Sequence, residues 1–155
     1  MTSSDGINWT SRTPLNSNNW TSICWSPELS LFVAVGTSGR IITSIDGNIW
    51  ITRSSSGNNW SSICWSSSLN LFVIIANTGT YRISTSPDGI TWTLRTSRNG
   101  PWYKIIWVSN LSLFIKSGSI NTTSNISTSP DGINWTARTT PNVSFYGIAY
   151  SNTLN

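Results

Sequence analysis

Short apolar runs recur along the chain, and clusters of serine, asparagine, glycine and proline separate them. Runs such as WTSICWS and LFVAVG are rich in β-branched and aromatic residues, which favour strands. Their apolar side chains occupy both alternating positions, so we expect both faces of each strand to be covered by protein. In WYKIIWV the alternation predicts that Trp102 and Ile106 share one face, opposite Tyr103, Ile105 and Trp107. No segment has a helical period, and the pattern predicts an all-β chain.

The whole pattern repeats about every 42 residues. Two further strands follow each pair of apolar runs, as in RIITS (40–44) and the more polar IWITR (49–53). An Asp-Gly pair marks each repeat at spacings of 41, 42 and 43, and a tryptophan follows each aspartate by four positions. The aspartates are Asp5, Asp46, Asp88 and Asp131, and the tryptophans are Trp9, Trp50, Trp92 and Trp135. Four short antiparallel strands per repeat predict β-propeller blades, with a β-solenoid as the alternative architecture.

The Asp-Gly pairs predict tight turns between strands. Glycine adopts a positive φ without steric cost, and the aspartate carboxylate accepts hydrogen bonds from nearby backbone N–H groups. The serine two positions earlier, as in Ser44, Ser86 and Ser129, does the same. The turn-structuring residues are therefore Asp5, Gly6, Asp46, Gly47, Asp88, Gly89, Asp131 and Gly132.

The motif Ser-x-Asp-Gly-x-x-Trp resembles the Asp-box, the bacterial neuraminidase repeat of sialidase-like propellers. The usual box is Ser-x-Asp-x-Gly-x-x-Trp, so all four copies in this chain are one residue shorter. The resemblance implies that each box joins the third and fourth strands of a blade, away from a catalytic face. It thereby implies one propeller segment over 1–155, with complete blades at about 20–53, 60–95 and 102–138, a lone outer strand at 7–12 and a lone inner strand at 144–151.

Three blades with two lone strands do not close a ring, because propellers contain about four to eight blades. Met1 lies four residues before the first Asp-Gly pair, so the first repeat is incomplete. We expect either a longer parent chain or a homo-oligomer that forms through open blade edges, since unpaired strand edges promote association.

Composition narrows the function further. Only 9% of the 155 residues are charged, but ten Trp, four Tyr and four Phe supply a core and argue against disorder. Nine basic and five acidic residues give a net charge of +4, and the basic residues are scattered, which does not predict a nucleic-acid surface. No apolar stretch is long enough to span a membrane.

The chain offers little catalytic chemistry. It has no histidine, which excludes Ser-His-Asp and Cys-His catalysis and the commonest metal ligand. Four of its five carboxylates belong to the Asp-Gly turns, and only Glu28 remains. We therefore predict no enzyme activity, no cofactor and no metal, and a role as a scaffold or interaction module.

A multivalent glycan-binding module is the alternative function. Its candidate ligand contacts are Trp20, Trp60 and Trp102, which open the first strand of each blade, and the recurrent Arg12, Arg53, Arg95 and Arg138. Packing is the competing role for the tryptophans, and protection of the outer strand against edge pairing is the competing role for the arginines. The expected partners are a second copy of the chain and a glycan or protein ligand.

The two cysteines occupy the same position in successive repeats. Cys24 and Cys64 align with Ile106, so the position favours a packing group. Equivalent points on stacked sheets lie about 10 Å apart, beyond disulfide reach. We predict free, buried thiols, which fit a reducing compartment without requiring one.

Overall fold

The computed structural model describes residues 1–12, 19–53, 58–119 and 124–153. These residues form three four-stranded antiparallel sheets and two 3-10 turns, Thr37–Gly39 and Ser109–Leu111. The strands are β1 (Trp20–Ser26), β2 (Leu31–Gly36), β3 (Ile41–Ser44), β4 (Ile51–Arg53), β5 (Asn59–Ser66), β6 (Leu71–Thr78), β7 (Ile83–Ser86), β8 (Thr93–Arg95), β9 (Trp102–Val108), β10 (Leu113–Gly118), β11 (Ile126–Ser129) and β12 (Thr136–Arg138).

Each sheet contains four strands that are consecutive in the chain. The strand orders are β1-β2-β3-β4, β5-β6-β7-β8 and β9-β10-β11-β12, which we name blades 1, 2 and 3. The inner strands β1, β5 and β9 lie beside one another, so the three sheets stack through their faces. The predicted all-β blade architecture is confirmed.

The predicted alternation within WYKIIWV is wrong at its first residue. A register shift lies between Trp102 and Lys104, where β9 pairs with β10. A bulge of this kind inserts one residue into the strand, so side chains before the bulge point to the opposite face from the one that simple alternation predicts. Trp102 therefore packs in the same apolar cluster as Ile105, rather than on the side of Ile106. β1 and β5 carry the same irregularity near Trp20 and Trp60.

The core consists of two apolar clusters between neighbouring blades. We call the side of a blade that meets the preceding blade its front face, and the opposite side its back face. Val33, Val35 and Ile41 on the back face of blade 1 pack against Trp60 and Phe72 on the front face of blade 2. The same arrangement recurs between blades 2 and 3 with the residues Val73, Ile75, Ile83, Trp102, Ile105 and Phe114. Blade 2 is apolar on both faces because it packs against blade 1 on one side and blade 3 on the other.

Hydroxyl groups at the bulges link the blades. The hydroxyl of Thr21 donates to the backbone oxygen of Trp60 at 2.8 Å, and that of Ser61 donates to the backbone oxygen of Trp102 at 2.6 Å. Nothing in the apolar pattern of the strands indicates this role for Thr21 and Ser61. They satisfy backbone groups that would otherwise be left unpaired between two stacked sheets.

The terminal segments contain less regular structure than the blades. Thr2 and Thr10 exchange two backbone hydrogen bonds of 2.8–2.9 Å, which closes the first Asp-Gly turn into a small hairpin, whereas the sequence predicts a lone strand over 7–12. Within 144–151 the structure shows no strand, although Phe145 N–H donates to Gly118 O at 3.0 Å. The Tyr146 ring stacks on Tyr103 with centroids 4.7 Å apart, so this segment lies against blade 3.

Candidate interaction surface

The Asp-Gly turns are built almost entirely from their own residues. In blade 2, Oδ1 of Asp88 accepts hydrogen bonds from the backbone N–H groups of Ile90 at 2.8 Å and Thr91 at 2.7 Å. The Ser86 hydroxyl donates to the same Oδ1 at 2.9 Å and accepts from Gly89 N–H at 2.8 Å. The turns at Asp5, Asp46 and Asp131 repeat these contacts within 0.2 Å. The carboxylates are thus engaged by their own backbone.

The tryptophan of each motif closes its own turn. The indole Nε1 of Trp92 donates to the carbonyl oxygen of Gly89 at 3.2 Å, and the other three turns show the same bond. Gly89 has a φ of +71°, which favours glycine at this position. A Cβ added there would come within 2.9 Å of Leu31 and 3.0 Å of Val33 in blade 1. The turn therefore also forms part of the contact between blades.

The hydrogen bonds keep the turn carboxylates ionised. Partial burial acts to raise the pKa of Asp131, but N–H groups of Asn134 and Ile133 outweigh it and lower the pKa to about 2. The pKa of Asp88 is also lowered, by Thr91 and Ile90 against a similar burial effect. Backbone N–H groups of Asn8 and of Ile49 lower the pKa values of Asp5 and Asp46 respectively.

We expect the turns to make the fold sensitive to acid. A carboxylate whose folded pKa lies below its unfolded value of 3.8 stabilises the fold above pH 3.8, and that stability is lost as pH falls through about 2. Because Asp131 is only half-buried and solvent screens its charge, we expect a loss of only about 1 kcal/mol from this turn. Urea unfolding at pH 5 and pH 2 measures the effect, and Asp131→Asn is expected to flatten part of the pH dependence. An unchanged slope in this variant would contradict the assignment.

The recurrent arginines are held in one arrangement. The Nε atoms of Arg53 and Arg95 donate to the hydroxyls of Thr43 and Thr85 on the neighbouring third strand, both at 2.9 Å. Arg12 and Arg138 make the same bond to Thr2 and Thr128, at 2.9 and 2.8 Å. Each guanidinium therefore lies across the outer edge of its sheet, half-buried in blades 1 and 2 and exposed at Arg12 and Arg138.

The three tryptophans that open the first strands differ in exposure. Trp60 and Trp102 are fully buried in the two inter-blade clusters, whereas Trp20 is half-buried on the front face of blade 1. A ligand would reach the rings of Trp60 and Trp102 only if the blades separated. The structure therefore gathers neither the tryptophans nor the arginines into one pocket.

The front face of blade 1 exposes apolar side chains that are buried in the equivalent positions of blade 2. Ile23 is 56% exposed and Trp25 is 39% exposed, whereas the equivalent Ile63 and Trp65 of blade 2 are 5% and 8% exposed. Trp65 also makes a polar contact with blade 1, in which its Nε1 donates to the Glu28 carboxylate at 2.7 Å. Equivalent residues thus differ in burial because, within the described ranges, a complete blade lies in front of blade 2 and none lies in front of blade 1. This face is the candidate interaction surface.

The described residues contain no obvious catalytic centre. Glu28, the one carboxylate outside the turns, is bonded to Trp65 and is not part of an acid–base pair. Within the described ranges, no group of three or more His, Cys, Asp or Glu residues is positioned to hold a metal ion. None of the helical segments described is long and apolar enough to cross a membrane.

Both cysteines are free thiols. Cys64 is buried and Cys24 is half-buried among apolar neighbours. Desolvation raises the pKa of Cys24 to about 11 and that of Cys64 well above 9. Neither thiol is therefore a reactive thiolate near neutral pH.

Comparisons with solved structures identify the architecture. No family model matches the chain, and neither does any curated protein. The crystal structure of the nidogen/laminin complex superposes with a TM-score of 0.67 at 12% identity, covering 83% of this chain and 51% of that one. The GH74 enzyme of Niastella koreensis superposes with a TM-score of 0.54 at 23% identity, covering 81% of this chain and 18% of that one. The chain thus spans about half the length of the first matched structure, and its three sheets are β-propeller blades.

Proposed function

We propose that the protein is a non-catalytic β-propeller segment that acts as an interaction module, and that a second copy of the chain occupies the front face of blade 1. The observation that carries the proposal is the exposure of Ile23 and Trp25 compared with Ile63 and Trp65. An exposed apolar sheet face of this kind is typical of an interaction site. Ile23 and Trp25 are the same residue types as Ile63 and Trp65, which pack against blade 1.

The terminal segments support a second copy as the partner. The turn at 2–12 keeps the contacts of a third-to-fourth strand connection, and residues 144–151 align with the first strand of a blade. Together they provide the sequences of an inner and an outer strand of a further blade. We propose that the C-terminal segment of one copy joins the N-terminal turn of another over the front face of blade 1. In this proposal the turns are shortened Asp-boxes that stabilise every blade.

Ile23→Lys is expected to block this association. It places a charge in the apolar contact, where burial of an unpaired charge is strongly unfavourable. The wild type is expected to have a native mass that is a multiple of 17.0 kDa, and the variant to be a monomer. Light scattering coupled to size exclusion measures both masses. Leu69→Lys is the matched control, because Leu69 is 41% exposed in the β5–β6 turn, away from the front face.

A wild-type monomer at high micromolar concentration would overturn the self-association. Protein binding would then be the remaining form of the proposal, supported by the likeness to a structure of two proteins in complex, nidogen and laminin. The glycan-binding alternative depends on the arginine row, whose guanidinium groups lie along one edge of the blades. Sugar binding on a glycan array that disappears when all four arginines become glutamine would favour this alternative.

A further inference from the structure

Blade 3 contains a buried lysine that the other two blades lack. Lys116 pairs with Ile105 and Ser127 in its sheet, and the same row in blade 2 is Ile63, Ile74 and Ser84. Ile74 therefore occupies the position of Lys116, and Ala34 occupies it in blade 1. A lysine at an apolar position of a repeat indicates a local role beyond holding the blade together.

The Lys116 side chain lies between blades 2 and 3 and is only 1% exposed. Its Nζ is 4.0 Å from the ring centre of Trp102 and 4.4 Å from that of Trp135, within cation–π distance. The same Nζ donates to the hydroxyl of Ser97 at 2.9 Å. These contacts hold the amine in place, but none of them provides a negative charge.

A cavity of about 350 Å³ opens beside the amine. It lies between the segment 96–98, which connects the two blades, and the outer strands of blade 3. The small side chain of Ala137 contributes to this space, because the same row position in blade 2 is Leu94. Besides Lys116, the lining offers the hydroxyls of Ser97 and Ser127 and the side chain of Arg98.

The cavity is cationic and contains no acid. None of the described residues that line it is acidic, whereas Lys116 and Arg98 are basic. The strands and turns packed around Lys116 carry further charges at Lys104, Arg138 and Asp131, and none of these lines the cavity. The Asp131 carboxylate is already engaged by its own turn. Burial without an anionic partner lowers the pKa of Lys116 to about 7.

We propose that the cavity binds the oxyanion group of a small ligand, a carboxylate or a phosphate, with the Lys116 ammonium as its counter-charge. The bound anion supplies the missing negative charge, and the hydroxyl of Ser127 supplies a hydrogen bond to one of its oxygens. The Ser97 hydroxyl already donates to the Arg98 carbonyl oxygen at 3.2 Å and holds the amine beside the cavity. Hydrogen bonds between an ammonium group and an oxyanion are charge-assisted, and they are about twice as strong as hydrogen bonds between neutral groups. Because the ammonium form binds the anion, binding is coupled to the uptake of a proton by Lys116.

Calorimetric titration with sodium acetate and with sodium phosphate tests the proposal on the whole chain, at constant ionic strength set with chloride. At pH 6 we expect saturable binding of at least one anion to one site per chain. The acetate charge is constant between pH 6 and pH 9, so acetate affinity is expected to fall at least about tenfold as Lys116 loses its proton. Phosphate gains a second negative charge over this range, so its affinity is compared with that of acetate at pH 6. This comparison shows which of the two oxyanions the site prefers.

Lys116→Met is expected to abolish the binding, because it keeps the length of the side chain and removes the charge. Lys104→Met is the matched control, because it removes the same charge from an exposed position on the adjacent strand β9. Circular dichroism confirms that both variants are folded. The proposal fails if neither anion binds the wild type saturably at pH 6, or if Lys116→Met binds within twofold of it. It also fails if acetate binds equally at pH 6 and pH 9.

Discussion

Replacing Phe72 with alanine is expected to lower the free energy of unfolding by about 3–5 kcal/mol. Phe72 is fully buried on the front face of blade 2, in the cluster that joins blades 1 and 2. Its ring lies 4.4 Å from the ring of Trp65 and 6.4 Å from that of Trp92. The substitution removes the central ring of this aromatic cluster and leaves a cavity where two sheets meet. Urea unfolding followed by tryptophan fluorescence measures the change.

Phe32→Ala provides the matched comparison. Phe32 lies between Trp25 and Trp50 at the same distances, 4.4 and 6.4 Å, but it is only half-buried, since none of the blades that the structure describes covers its side of blade 1. In protein dilute enough to be monomeric, we expect this variant to lose clearly less stability than Phe72→Ala. Equal losses would show that the stacking of complete blades adds little to these clusters.

Lys116→Ile is expected to stabilise the protein by about 1–4 kcal/mol at pH 6, in a buffer with chloride as the only anion. Isoleucine is the residue of blade 2 at this position, so its shape suits the sheet. The substitution removes a buried amine whose charged form is destabilised by desolvation. The loss of the contacts with Trp102 and Trp135 offsets part of this gain.

The pH dependence of stability distinguishes the removal of a buried charge from an improvement in packing. Below pH 7 the lysine is protonated in both states, so the full cost of burying the charge applies. Between about pH 7 and 10.5 the folded protein has released the proton while the unfolded chain retains it, and wild-type stability therefore rises with pH. Thermal unfolding at pH 6 and pH 10 is expected to show the variant's advantage shrinking at the higher pH. A variant less stable than wild type at pH 6 would show that the contacts of the amine outweigh its desolvation.

The sequence predicts the blades well because several independent signals in each repeat indicate the same four strands. Apolar runs, Asp-Gly turns and aromatic rows all agree on four strands per unit, and that local consistency is what specifies a fold. The bulge beside Trp102 is different, because a one-residue irregularity leaves the composition of WYKIIWV unchanged while it reverses the facing of the ring. Strand alternation alone therefore gives the wrong face at this position.

The candidate surfaces depend on neighbours that the local sequence does not encode. Trp25 and Trp65 follow almost identical segments, yet their burial differs because only one of them has a blade in front. The segment LFIKSG does not itself indicate that Lys116 is buried, and the burial follows from the packing of blade 2 against blade 3. Its signal in the sequence is the comparison with Ala34 and Ile74 at the same position of the repeat.

The hydrogen bonds of the Asp-Gly turn reach no further than the hairpin that contains it. The copy at residues 2–12 keeps its contacts without the two inner strands that precede the turn in the complete blades. Because the hairpin needs no hydrogen-bond partner outside itself, copies of it can be added or rearranged without a matching change elsewhere in the chain. Gene duplication is therefore able to lengthen this protein one repeat at a time, with the demand for compatibility falling on the sheet faces alone.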